Sequence, residues 1–206
     1  MQENINPWDK LFQNEGKVFT EPHEDLPDVI QALKRIGAEK VLDLGSGSGR
    51  HVIYLAKHGF SVYGLDSSPE GIALTNEWLS TENLSADLRL QSMHELLPYG
   101  DAFFDGAISV QVIHHAEIAS IRRVVDEIAR VLKPKGLLFV TVPKVNYHGE
   151  FVEIEPATIV PLNGPEKGLP HHYFTPEELR EVFKDFEIMD IQIDSVDHYC
   201  LLASRR

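Results

Sequence analysis

Only one cysteine, Cys200, occurs among the 206 residues. An intramolecular disulfide framework and a cysteine-based zinc site are therefore excluded, and a reducing compartment is expected. No apolar run approaches the ~20 residues that cross a bilayer. Residues 1–7 lack the basic and apolar segments of a secretory leader, so a cytoplasmic location without membrane contact is expected. Positive charge is scarce: 19 Lys and Arg against 32 Asp and Glu leave a formal net charge of −13, which opposes binding to a polyanion. Arg122, Arg123, Arg130, Lys133 and Lys135 fall at helical spacing and read as a solvated helix face, so no nucleic-acid partner is expected. Repeats, low-complexity segments and an interrupting linker are also missing. One domain over 1–206 follows, as a monomer or homodimer.

What is present is an alternation of strand and helix patterns. Short apolar strands are predicted at 40–44, 61–66, 87–90, 105–110 and 136–142. Helical periodicity lies between them at 27–36, 51–58, 69–79 and 118–132. This rhythm predicts an α/β fold: a Rossmann-like, doubly wound seven-stranded sheet with helices on both faces. A further helix is expected at 176–183. Strands at 186–193 and 197–203 are too closely connected for a parallel crossover and should form an antiparallel C-terminal pair. Residues 144–174 break the rhythm and read as an irregular excursion capping the substrate. Residues 1–24, with Trp8, Phe12 and Phe19, read as an N-terminal lid.

The chemistry concentrates at Asp43-Leu44-Gly45-Ser46-Gly47-Ser48-Gly49, a glycine turn between a strand and a helix. Such a turn lets backbone approach a ligand and aims helix-terminal amides at an anion. Its GxGxG spacing differs from the GxGxxG of dinucleotide sites. Asp43 precedes the turn, where a carboxylate organises glycine amides or meets a ligand ammonium group. Asp66 ends the next strand, where an acid accepts hydrogen bonds from ribose hydroxyls. A ribosyl ligand with an amino-acid tail satisfies both.

Four stretches in order resemble the class I S-adenosylmethionine-dependent methyltransferases: residues 41–50, Val62-Tyr63-Gly64-Leu65-Asp66-Ser67-Ser68, residues 96–115, and Leu132-Lys133-Pro134-Lys135-Gly136-Leu137-Leu138. The resemblance covers about residues 25–142. It implies S-adenosylmethionine as cofactor and methyl transfer to a small-molecule acceptor. Gly45 and Gly47 then contact the methionine portion, Asp66 anchors the ribose, and Ser67 neighbours the adenosine. Asp43, Ser46 and Gln111 complete the donor set. Many members carry an acid for the adenine amino group where this chain has Ser92-Met93; Met93 still covers a ring there. An NAD(P)-dependent oxidoreductase and a noncatalytic S-adenosylmethionine-binding module are the alternatives.

For the acceptor, His114 and His115 follow the fourth strand, while His171, His172 and Tyr173 end the excursion. His115 and His171 are the candidate catalytic groups. His114, His172, Tyr173 and Trp8 are candidate substrate contacts, with Tyr147, His148 and Phe151 as further aromatics nearby. No metal is expected, because clustered acids with an Asn are missing near the fourth strand. The Asn/Asp-Pro-Pro-Tyr/Phe pattern of base and glutamine methyltransferases is also missing.

Overall fold

The computed structural model describes residues 7–144 and 149–206; Tyr147 and His148 lie outside them. Alternate residues of each central strand face opposite sides, and both sides are covered. On one side Val41, Val62, Ile108 and Phe139 pack against Val29, Ile30 and Leu33 of α2 (Leu26–Arg35), Val52 and Leu55 of α3 (Arg50–Lys57) and Leu79 of α4 (Pro69–Thr81). On the other, Leu42, Leu44, Leu65, Leu138 and Val140 meet Ile121, Val124, Val125 and Ile128 of α5 (Ile118–Val131) and Leu179 of α6 (Pro176–Val182). The i, i+3, i+4, i+7 spacing in α5 makes one apolar stripe, and burying each such side chain contributes about 1.5–3 kcal/mol.

The sheet runs β3-β2-β1-β4-β5-β10-β9, where β1 is Lys40–Leu44, β2 Ser61–Asp66, β3 Asp87–Leu90, β4 Phe104–Val110, β5 Leu132–Pro143, β9 Phe186–Ile193 and β10 His198–Arg205. The first five strands in that order are parallel, whereas β10 pairs antiparallel with both β5 and β9. The expected doubly wound seven-stranded sheet with an antiparallel C-terminal pair is thus present. Strand order reverses between β1 and β4, which opens a crevice at their carboxyl ends.

Local chemistry fixes the helix starts. Ser68 Oγ accepts from the Gly71 amide at 2.9 Å, and Thr175 Oγ1 from the Glu178 amide at 3.2 Å, with proline following each cap.

The excursion is more ordered than its sequence suggests. It carries a three-stranded antiparallel sheet of β6 (Phe151–Glu155), β7 (Thr158–Pro161) and β8 (His171–His172). The hairpin turns through Pro156 and Ala157, and Ala157 takes a left-handed φ of 61° without the usual Asn or Gly. β6 is exposed or half-exposed throughout, so the apolar residues Val152 and Ile154 that alternate with Glu153 and Glu155 bury no face. The β8 edge is tied to the main sheet by the His172 amide, which donates to the His114 carbonyl at 2.9 Å.

The basic residues around α5 are spent on local partners. Arg122 pairs with Glu181, Arg130 with Asp101 and Glu127, Lys133 with Asp105, and Lys135 with Glu187, while Arg123 donates to Ser120. They form no free cationic face. Among the described residues no helix is long and apolar enough to cross a membrane.

Candidate functional site

At the crevice a cavity of about 1390 Å³ is lined by the glycine turn, the end of β2, the loop after β4, helix α1 (Pro7–Glu15), the excursion and the β9–β10 turn. Gly45, Ser46, Gly47, Asp66, Ser67, Ser92, Met93 and Gln111 all line it. The candidate donor residues therefore share one wall, with the exception of Asp43.

The turn itself is closed by internal hydrogen bonds. The Gly45 and Ser46 amides donate to the Leu65 carbonyl at 2.7 and 3.1 Å, Gly47 donates to Asp66 Oδ2 at 2.7 Å, and Gly49 to the Ser46 carbonyl at 3.0 Å. These amides are not aimed at an anion, which corrects the expectation drawn from the glycine spacing. A pyrophosphate here would meet spent donors and two carboxylates. The geometry disfavours a dinucleotide and suits a ligand bearing positive charge.

Asp66 has its other oxygen on the Ser68 amide at 2.8 Å. Burial raises its pKa, against the lowering effect of the Ser68, Gly47 and Ser67 amides. The carboxylate holds the turn in place and still lines the cavity. Asp43 sits in register with Gly64 and Ile108, only 1% exposed, and neither oxygen has a hydrogen-bond partner. Burial lifts its pKa to about 7; the Arg50 charge pulls it down and Asp66 pushes it up. A buried carboxylate with no partner is a costly feature, relieved when a cation arrives nearby.

Helix α1 lines this end of the cavity; of the stretch 1–24 expected as a lid, residues 1–6 lie outside the described residues. Asp9, which no sequence motif marks, is 6% exposed and accepts from Ser68 Oγ at 2.6 Å and the Glu70 amide at 3.0 Å. It pins α1 to the start of α4, beside Asp66. Phe12 is then held against the turn, and a Cβ on Gly47 would stand 3.3 Å from its ring. Trp8 reaches the histidine-lined end of the cavity, 5.8 Å from the His115 ring.

That end gathers His114, His115, His171 and Tyr173 on the cavity wall. Burial, aided by the neighbouring imidazoles, pushes His114 well below its ordinary pKa; burial likewise lowers His115. Glu166 lies 3.1 Å from His171 Nε2 and 3.5 Å from His115 Nε2, and these contacts hold its pKa down to about 2. His172 is different. Strand alternation sends its ring away from the cavity, onto Thr158 Oγ1 at 2.7 Å and Glu178 at 3.2 Å, so its expected substrate contact is replaced by a structural one. Phe151 is 46% exposed on β6, outside the cavity wall. Cys200 is buried in β10 with its thiol pKa pushed up by burial, which disposes of a cysteine nucleophile.

Comparison with known proteins gives the same reading. The sequence model of the methyltransferase domain matches residues 42–140. An uncharacterized methyltransferase of Synechocystis is 33% identical over 99 residues, which are 48% of this chain and 44% of that protein. The ubiquinone biosynthesis O-methyltransferase of Bartonella tribocorum is 32% identical over 101 residues, 49% of this chain and 40% of that one. Residues 42–140 belong to the methyltransferase-domain family. The fold is shared with a SAM-dependent methyltransferase structure from Methanosarcina mazei (TM-score 0.73, 22% identity, 90% of this chain and 98% of that one). The matched stretch spans less than half the length of either sequence relative.

The sequence motifs point to the residues on the glycine-turn side of the cavity but not to Asp9, Glu166, His23, Asp194 and His198. The last three form a second cavity-wall cluster, with Asp194 Oδ2 3.1 Å from His23 Nε2 and 3.0 Å from His198 Nδ1.

Proposed function

We propose that the protein binds S-adenosylmethionine against the glycine turn and transfers its methyl group to a small molecule held at the histidine end of the same cavity. The single observation behind this is the continuity of the cavity. At about 1390 Å³ it exceeds the roughly 300–1,000 Å³ typical of a one-ligand pocket, and its two ends differ in chemistry. Bound S-adenosylmethionine supplies a methyl group already activated on a sulfonium. The chain therefore has mainly to align the partners and exclude water.

Each residue has a role in that scheme. Asp66 accepts from ribose hydroxyls, Gly45 and Gly47 admit the methionine portion, and Met93 covers the adenine beside Ser92. Ser46, Ser67 and Gln111 complete the wall. Asp43 supplies negative charge behind the turn for the ligand's ammonium group. Trp8 and Phe12 exclude water. His115, kept neutral by burial, takes a proton from the acceptor, while His171, oriented by Glu166, positions it with His114 and Tyr173.

Asp66→Ala is expected to weaken S-adenosylhomocysteine binding by roughly 1–3 kcal/mol, the range for lost hydrogen bonds to a charged group. Calorimetry checks this, and an unchanged affinity in the folded variant removes Asp66 from the ribose role. His115→Ala and His171→Ala should each lower turnover by roughly 100-fold, the scale of one proton-transfer group, and leave S-adenosylhomocysteine affinity nearly intact. Full activity in both refutes the acceptor assignment.

The proposal is tested by incubating the protein with methyl-labelled donor and fractionated cell extract. Label should enter the small-molecule fraction, and Asp66→Ala should lower its amount at sub-saturating donor. Donor binding without transfer to any fraction would identify a noncatalytic binding module instead.

A further inference from the structure

We propose that His114, His115 and His171, together with Glu166, form a site for a divalent first-row transition-metal ion of the zinc type at the acceptor end of the cavity. The four residues come from two segments about fifty positions apart, so no local motif marks the site, and it stands against the expectation of no metal.

The geometry has three independent parts. One ring nitrogen from each histidine lies within 4.8 Å of the others. Glu166 adds a carboxylate 3.1 Å from His171 Nε2 and 3.5 Å from His115 Nε2. Neighbouring ligand atoms around a tetrahedral ion with bonds of ~2.0–2.1 Å stand ~3.3 Å apart; each separation is near that length, with Glu166 Oε2 facing His171 and Oε1 facing His115.

Hydrogen-bond logic supplies the second part. His171 Nδ1 is 2.8 Å from the Leu169 carbonyl, and a carbonyl only accepts, so the hydrogen belongs on Nδ1. That leaves Nε2, 3.1 Å from Glu166 Oε2, as the ring nitrogen able to face an ion. Donation of the second ring nitrogen to a backbone carbonyl is the usual way a metal-bound imidazole is oriented.

The third part is unmet demand. His115 Nε2 and His114 Nδ1 are buried without a hydrogen-bond partner. Three imidazoles and one carboxylate suit zinc, cobalt or nickel better than calcium or magnesium, which prefer oxygen donors. The four residues all line the cavity, so the ion is reachable by an acceptor oxygen or sulfur. Ion binding stands by itself; only its role in holding the acceptor rests on the proposed methyl transfer. With the ion bound, the His115 lone pair is committed to it and no longer takes the acceptor's proton; the ion polarises the acceptor, whose proton then leaves to water.

The test uses the untagged chain, stripped with a chelator and titrated with cobalt(II) chloride by visible absorption and with zinc chloride by calorimetry. One equivalent should bind, with a tetrahedral cobalt spectrum that needs no variant to interpret. Zinc affinity should fall roughly 100-fold in His171→Ala and about tenfold in Glu166→Gln, while circular dichroism and S-adenosylhomocysteine affinity stay unchanged. An octahedral cobalt spectrum like that of the free ion, or wild-type zinc affinity no tighter than that of the His115→Ala/His171→Ala double variant, overturns the site and leaves a proton between His171 and Glu166. S-adenosylhomocysteine is titrated separately, so failure of the donor reading and failure of the metal site are distinguishable.

Discussion

Gly45→Ala is expected to abolish measurable S-adenosylhomocysteine binding and to lower folding stability by roughly 2–5 kcal/mol. Two effects add. Gly45 has φ +79°, a left-handed conformation that a Cβ makes costly, and the new methyl would overlap the Val112 side chain, which also lines the cavity. The turn must therefore move, and it carries the Gly45 and Ser46 amides away from Leu65. Urea unfolding gives the stability loss. The double variant Gly45→Ala/Val112→Ala separates the causes in part: it relieves the overlap with the Val112 methyl groups, keeps the contact with its Cβ at 2.9 Å, and retains the cost of positive φ. Wild-type binding by Gly45→Ala would show that the turn does not carry the donor.

Asp43→Asn should show the second large effect, in stability and binding with opposite signs. Asp43 ionises near pH 4 in the unfolded chain and at about pH 7 in the folded one. Between those values the folded state holds a proton that the unfolded state has released, so rising pH destabilises the wild type. Asparagine is free of that penalty. The variant should match the wild type below pH 4, gain on it as pH rises through 7, and exceed it above that by on the order of 4 kcal/mol, less the cost of its own unpaired amide. Donor binding should respond the other way. Only the ionised carboxylate attracts the ligand's ammonium group, so wild-type affinity for S-adenosylhomocysteine should rise about tenfold from pH 6 to pH 8, and the variant should lose that dependence. A pH-independent wild-type affinity would show that Asp43 serves the fold alone.

The two halves of the site differ in how far the sequence reveals them, and chain locality is the reason. Asp43, the glycines and Asp66 fall within two consecutive strand–turn units, so spacing alone places them together. The buried runs Val41–Leu44 and Leu137–Val142 are legible for a similar reason, because parallel strands covered on both faces read as continuous apolar stretches. The acceptor end is assembled from α1, the loop after β4, the excursion and the β9–β10 turn. Glu166 meets His115 and His171, and Asp9 meets Ser68, only after folding. His172 shows the same limit at the smallest scale: being next to His171 in β8 puts its ring on the opposite side. The hairpin of β6 and β7 was hidden because Pro156-Ala157 is not a favoured turn pair and β6 is solvated along its length.

The most direct measurement is calorimetric titration of the wild type and Asp66→Ala with S-adenosylhomocysteine and with NAD. The expected result is one molecule of S-adenosylhomocysteine per chain, markedly weaker in Asp66→Ala, with no heat from NAD. Tight NAD binding in the absence of S-adenosylhomocysteine binding would contradict the assignment of the cavity to a methyl donor.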